Sequence, residues 1–290
     1  MTSNQIDIRS FATLIRDAIE KKNKGILDLY DTYAGEAEFG LKLIEKDLNL
    51  IRGDAEIIEI GAGAMILSCY LALKGYKVTA LEPISSGFSH FRTMQDIVLE
   101  VSKGLGIEIN ILNIPGEKLE EDDKFVFGFS INVMEHVDDY ERVLSNVVSC
   151  LKVGGIYRFI CPNYAFPFET HFNVPIIINK SITKFVFRKR IQAFNLVEDS
   201  EGLWASLNWI KTSYVKKTIA HKIDAVAIFS THALELLFLR SMHDNQFNKR
   251  RPKLLNWMIQ RYLDLNGLKL IKFIPENFQP TIDCTITKLK

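Results

Sequence analysis

The stretch IIEIGAGAMILSCYLALKGYKVTALEP, residues 57–83, decides the fold. It opens on a β-branched run that ends at Glu59-Ile60, turns through Gly61 and Gly63, continues as an apolar helical stretch and returns as KVTAL. Strand, glycine turn, helix and strand in that order form a βαβ unit of a parallel sheet, and ligands bind at the carboxyl edge of such sheets. Glycines in the turn let the backbone come close to a ligand. Glu82 closes the second strand 21 residues after Gly61. A carboxylate there can accept two hydrogen bonds from a ribose diol, so the spacing points to a nucleoside compound.

The glycines also bear on which nucleoside. A dinucleotide fingerprint needs a third glycine at position 66, where this chain has Ile66. A bulky side chain there hinders close strand–helix packing, which disfavours NAD. The pattern Glu59-x-Gly61-x-Gly63 with the acid Glu82 resembles motifs I and II of the class I S-adenosylmethionine-dependent methyltransferases. The resemblance runs through IPGEKL (114–119) and FVFGFSINVMEHVDDYERVLSNVVSCLKVGGIYRFICPN (125–163), and covers about 110 residues, 55–163. It implies S-adenosyl-L-methionine as cofactor and S-adenosyl-L-homocysteine as product. It places Glu59, Gly61, Ala62 and Gly63 against the donor's methionine part, Glu82 and Pro83 at the ribose, and Gly116 and Glu117 at the adenine. Ser130, Asn132 and Val133, at the end of the fourth strand, fall near the donor's amino acid moiety, although Ser130 could equally be a strand residue with a satisfied hydroxyl. Met65 departs from the pattern, since many members carry a third glycine at its position.

Outward from this stretch, the rhythm predicts strands at 56–60, 77–81, 107–112, 125–131 and 156–161, with helices at 64–74, 88–103 and 138–151 between them. Residues 8–50 read as helical with a break around Asp31–Gly35, and Tyr33 in that break is a candidate to close over the donor, against core packing as the more ordinary role of a tyrosine. After Pro162 the period fails, and the segment reads as a cap. A helix near 204–221 and a strand at 223–229 supply a sixth βα unit, residues 231–265 look mainly helical, and TIDCTITK (281–288) is the last strand. The lesser alternative puts the sixth strand at 268–274, in a hairpin with 281–288. The expected fold is α/β: a Rossmann-like, mostly parallel seven-stranded sheet with helices on both faces, an N-terminal helical segment and a cap inserted after the fifth strand. The expected domains are 1–54, the helical segment; 55–162, the donor-binding core; 163–255, the acceptor-binding cap; and 256–290, the C-terminal completion of the core.

Composition sets the outer bounds. The 290 residues are 47% hydrophobic and 24% charged, as in ordinary globular proteins. No basic leader followed by an apolar stretch is evident and no window is apolar enough to span a bilayer, so a cytoplasmic protein is expected. Cys69, Cys150, Cys161 and Cys284 are scattered, without metal-ligand or disulfide spacing; reduced thiols and no metal are expected. The net charge of +1 conceals an asymmetry: 15 Lys+Arg against 25 Asp+Glu in residues 1–150, and 21 against 10 in residues 151–290. Such a basic half could draw an anionic small-molecule acceptor, or could equally attract the acidic half or a homodimer partner. With a whole-chain charge near zero, nucleic acid is not an expected partner.

Methyl transfer to an alcohol releases a proton, which favours a nearby base. His136, between the fourth strand and the next helix, is the first candidate, against the alternative that it orders the loop; Glu135 beside it carries the same ambiguity. Glu169 and His171, two residues apart on an aromatic loop, would face the same way on an extended segment and serve the acceptor, with an exposed surface pair as the alternative. The basic runs 187–190 and 249–251 could hold a phosphate but more commonly are solvated faces. The expected reaction is O-methylation of a small polar acceptor, with a sugar or nucleotide-linked sugar suggested by resemblance of PNYAFPFETHF (162–172) to glycan-modifying methyltransferases. An N- or C-methyltransferase acting on an amine, a quinone-type or a lipid-like acceptor, and a donor-binding partner subunit without activity of its own, are the rival readings.

Overall fold

The computed structural model describes residues 6–83, 89–194, 199–244, 247–248, 251 and 253–290, with Ser89 and His90 described by backbone alone. Its main sheet has seven strands: β1 (Glu56–Ile60), β2 (Lys77–Leu81), β3 (Asn110–Leu112), β4 (Phe125–Ile131), β5 (Leu151–Pro162), β8 (Ala225–Phe229) and β9 (Thr281–Lys288). The order is β3-β2-β1-β4-β5-β9-β8. The β1–β2, β1–β4 and β2–β3 pairs are parallel. β6 (Phe168–Glu169) and β7 (Val174–Pro175) make a separate antiparallel hairpin. The expected Rossmann-like α/β plan is therefore the observed one.

The chain divides into two compact units. The first comprises residues 1–131, 146–158 and 287–290. It begins with helices α1 (Ile8–Lys22) and α2 (Leu27–Leu48). Asp7 caps α1 by accepting the Ser10 N–H at 2.7 Å, and Ile8, Phe11, Ile15 and Ile19 recur at helical spacing to bury one face. The helix break lies at Asn23–Ile26 and not at Asp31–Gly35. Arg16 of α1 donates to Asp31 at 2.8 Å, and a single glycine inside a helix costs only about 1 kcal/mol, so α2 runs unbroken through Gly35. Tyr33 thus stands on a helix.

Helices α3 (Ile66–Leu73) and α4 (Ser89–Gly104) follow β1 and β2 as expected. β3 starts at Asn110 because Ile107 still belongs to the end of α4: Gly106 adopts φ 74° and the Ile107 N–H donates to Ser102 O at 3.0 Å, a Schellman closure. Helix α5 (Tyr140–Cys150) leads directly into β5, which begins five residues earlier than expected and carries Gly154 at φ 76° within it.

The second unit comprises residues 132–145 and 159–286. After the β6–β7 hairpin it is largely helical: α6 (Lys180–Gln192), α7 (Ser200–Ser206), α8 (Thr212–Lys222), α9 (His232–His243), α10 (Lys253–Asp264) and α11 (Leu268–Ile271). The helix expected over 204–221 is two helices, parted where Trp209 takes a left-handed φ of 56°. The alternative strand at 268–274 does not form; α11 occupies part of that stretch, and β9 already has β5 on one side and β8 on the other. Of the two basic runs, 187–190 lies on α6, while positions 249 and 250 fall outside the described residues. No helix among the described residues is long and apolar enough to cross a membrane.

Candidate active site

In the first unit the glycine loop is held by β2. Leu81 O accepts the N–H groups of Gly61 (2.7 Å) and Ala62 (3.0 Å), while Glu82 Oε2 accepts the Gly63 N–H at 2.8 Å. Gly61 and Gly63 sit at φ 70° and 54°, the left-handed region where glycine is unstrained. Gln95 of α4 donates to Gly63 O at 2.7 Å, and a side chain grown on Gly63 would meet the Phe91 ring at 3.4 Å. Phe91 in turn lies edge-on to Tyr33, with centroids 5.3 Å apart. Gly61, Gly63, Glu82 and Tyr33 therefore frame one backbone cradle, which suits a nucleoside ligand. Phe91 and Gln95 were not apparent as site residues, because they lie on α4, about 30 residues after the glycine loop, where no spacing rule links them to it.

Of the two acids at the ends of β1 and β2, Glu59 is buried and Glu82 half-buried. Burial pushes the Glu59 carboxyl up to about 8, opposed by the hydroxyl hydrogen bond from Ser68. Burial also raises Glu82, opposed by the Gly63 amide. Gly116 and Glu117 begin a short helical turn whose carbonyls both accept from the Asn146 amide, at 3.1 and 2.9 Å. The Ser130 hydroxyl pairs with the Tyr157 hydroxyl at 2.7 Å inside the sheet.

The second unit begins where β4 ends. Asn132 is exposed, with φ 55°, its N–H donating to Ile160 O at 2.8 Å, and Val133 O accepts the His136 N–H at 2.8 Å. Asn208 clamps this turn: its N–H donates to Glu135 O (2.8 Å) and its side-chain amide to Met134 O (2.7 Å) and Val137 O (2.9 Å). The turn presents Glu135 and His136 to His171, whose ring lies 5.2 Å from that of His136. Glu169 and His171 do meet, although through a tight turn and not an extended alternation. Glu169 Oε1 takes both the His171 N–H (3.0 Å) and ring Nδ1 (2.7 Å), and Oε2 takes the Phe172 N–H (2.7 Å).

These bonds assign the tautomers. A carboxylate only accepts, so His171 donates from Nδ1. The Ser206 hydroxyl donates to Leu203 O at 2.9 Å and so receives its 3.1 Å contact from His136 Nδ1–H. In both neutral rings Nε2 is then a free lone pair, 3.8 Å (His136) and 4.0 Å (His171) from Glu135 Oε1. Glu135 is fully buried and neither of its oxygens has a hydrogen-bond partner among the described residues. Burial pushes it up to about 7, opposed by His171. Burial, helped by the charge of His171, pushes His136 down to about 4. Burial would lower His171 too, but the Glu169 hydrogen bond and the charges of Glu169 and Glu135 hold it above its ordinary value. Glu169 would be raised by burial, yet His171 and the two turn amides keep it below the usual range. Trp209, whose buried indole N–H has no partner among the described residues, and Ser206 and Asn208 carried no sequence signal, because they fall in a segment that reads as continuous helix.

The first unit thus holds a backbone cradle that suits a nucleoside, and the second unit holds a histidine–carboxylate cluster. The family described as "Methyltransferase domain" matches residues 58–159, and the protein is an S-adenosylmethionine-dependent methyltransferase. The chain is 36% identical over 255 residues to the uncharacterized protein Rv1509 of Mycobacterium tuberculosis, covering 88% of this chain and 86% of that one, and it belongs to the same family. It is also 28% identical over 103 residues to a ubiquinone biosynthesis O-methyltransferase of Rickettsia bellii, 36% of this chain and 40% of that protein. Among solved structures it resembles the Haemonchus contortus phosphoethanolamine N-methyltransferase 2 with a TM-score of 0.49, at 12% identity, over 95% of this chain and 60% of that one. A likeness of that size says nothing about substrates.

Proposed function

We propose that the enzyme methylates a hydroxyl of a small polar acceptor in the cytoplasm, with a sugar or nucleotide-linked sugar as the first acceptor class to test. The observation that carries this reading is the pair formed by buried Glu169 and half-buried His171. When bound, S-adenosylmethionine supplies a methyl group already activated at a sulfonium centre. As the acceptor's C–O bond forms and the carbon–sulfur bond breaks, the hydroxyl proton passes to His171 Nε2. Glu169 holds Nδ1–H and stabilises the resulting imidazolium. His136, kept neutral, offers its own Nε2 as a hydrogen-bond acceptor to the substrate. On this reading the donor takes Glu82 and Pro83 at the ribose, Glu59, Gly61, Ala62 and Gly63 at the methionine part, Gly116 and Glu117 at the adenine, Ser130, Asn132 and Val133 near the amino acid end, and Tyr33 as cover. The relationship to an O-methyltransferase over part of the chain supports oxygen as the acceptor atom.

One observation favours a second reading, N-methylation of an amine: the Glu135 carboxylate, without a hydrogen-bond partner among the described residues, would suit an ammonium group. An acceptor screen with labelled donor separates the two. With a hydroxyl acceptor, His171→Ala and Glu169→Gln should each lower kcat by about 10²-fold or more, as loss of a general base does. Turnover that both variants leave intact would remove the O-methylation reading and favour an amine, which attacks without a base. Calorimetry with S-adenosylmethionine, S-adenosylhomocysteine and NAD tests the donor side. Glu82→Ala and Glu82→Gln should weaken the first two about tenfold or more, some 1.4 kcal/mol, and NAD should not bind. Unchanged affinity in both variants would take the ribose role away from Glu82.

A further inference from the structure

We propose that Glu135, His136 and His171 form a binding site for one divalent transition-metal ion of the zinc class, with coordination positions left over for an oxygen of the acceptor. The three offer one ligand atom each, and these atoms all lie within 4.8 Å of one another. All three are acceptors. Ser206 and Glu169 engage the Nδ1 side of each ring, so both Nε2 lone pairs face the Glu135 carboxylate at 3.8 and 4.0 Å.

With both rings neutral, converging lone pairs repel unless a positive charge, a shared proton or a cation, lies among them. Glu135 supplies the independent sign that something is to be bound: it is fully buried, and neither oxygen has a hydrogen-bond partner among the described residues. A buried carboxylate left in this way costs stability that an ion would restore.

The donor set is chemically apt. Two imidazoles and a carboxylate suit zinc, cobalt or manganese, and three protein ligands with an open position are what a catalytic ion needs. Both histidines have the outer hydrogen bond that commonly fixes a ligating ring: Glu169 on His171 and Ser206 on His136. Bonds of about 2.1 Å in a tetrahedral site place ligand atoms about 3.4 Å apart, so loading draws the present set inward by about an ångström or less. Asn208, which pins the turn on either side of Glu135, limits that adjustment to side-chain rotation.

The ion rests on the reading of this site as the acceptor's but takes over the part given there to His171 as base. Once it is bound, neither Nε2 can take a proton. An acceptor hydroxyl bound to the ion would itself become more acidic, its proton leaving to solvent. The site does not depend on that consequence.

The test uses the full chain, stripped with a chelator and titrated with Co²⁺, followed by the visible absorption of the bound ion and its displacement by Zn²⁺. One equivalent should bind with micromolar or tighter affinity. Glu135→Gln and His171→Ala should each weaken binding at least 100-fold, and Glu169→Gln about tenfold, as loss of an outer-shell partner does. S-adenosylhomocysteine affinity, read on the same variants by calorimetry, reports whether each is folded. The absence of saturable binding at millimolar Co²⁺, or uptake that folded Glu135→Gln and His171→Ala leave unchanged, would overturn the proposal. Metal binding as expected without methyl transfer to any hydroxyl acceptor would sink the O-methylation reading and leave the ion site standing.

Discussion

Glu59 is enclosed at the end of β1, with the Ser68 hydroxyl donating to it, and burial pushes its carboxyl up to about 8 from 4.5. Between those values the folded chain keeps a proton that the unfolded chain has released. Stability conferred by the neutral form is therefore complete at low pH, falls as pH rises from about 4.5 through about 8, and levels off above, by at most about 1.4 kcal/mol per pH unit. Urea unfolding at pH 5.5, 7 and 8.5 should show this decline, and Glu59→Gln should flatten it; parallel slopes for the two proteins would rule Glu59 out as its source. Met65 is the other residue of note. It adopts φ 61° just before α3, a conformation costing most side chains about 1–2 kcal/mol, which explains why glycine is common there in the resembling family. Its buried side chain, 3% exposed, offsets that strain.

At the scale of elements, the N-terminal helices are integral to the first unit. Helix α1 packs on α2 and α4, and Tyr30 of α2 donates its hydroxyl to Ala12 O at 2.6 Å. Phe11 is wholly buried in that contact face, so Phe11→Ala should cost about 3–5 kcal/mol by urea unfolding. A loss below about 1 kcal/mol would mean α1 is only loosely attached. The elements were largely legible. β1, β2, β4 and β9 fall where short β-branched and apolar runs put them, since a strand in a covered sheet writes its burial into adjacent residues. The misplaced boundaries were those governed by side chains far away in the chain: Arg16 stabilises α2 across Asp31, and Asn208 interrupts the stretch between α7 and α8 by bonding the 134–137 turn.

For the molecule as a whole, a ligand that binds only the folded state stabilises it by about 2.7 kcal/mol at a concentration 100 times its Kd. For a chain of this size that raises Tm by about 4 °C. S-adenosylhomocysteine should produce such a shift and NAD none; equal shifts would contradict a donor site built for a single nucleoside. The donor cradle could be recognised in the linear chain because Gly61, Gly63 and Glu82 lie within one βαβ unit, where the strand–turn–helix geometry itself brings backbone and carboxylate together. The acceptor cluster could be named in part, as His136, Glu169 and His171, but not assembled. No spacing rule links Glu135 to a histidine 36 residues later, or either of them to Ser206 and Asn208. Which nitrogen each ring turns inward, and that a buried carboxylate is left without a hydrogen bond among the described residues, depends on three distant turns folding onto one point. Only tertiary packing decides that.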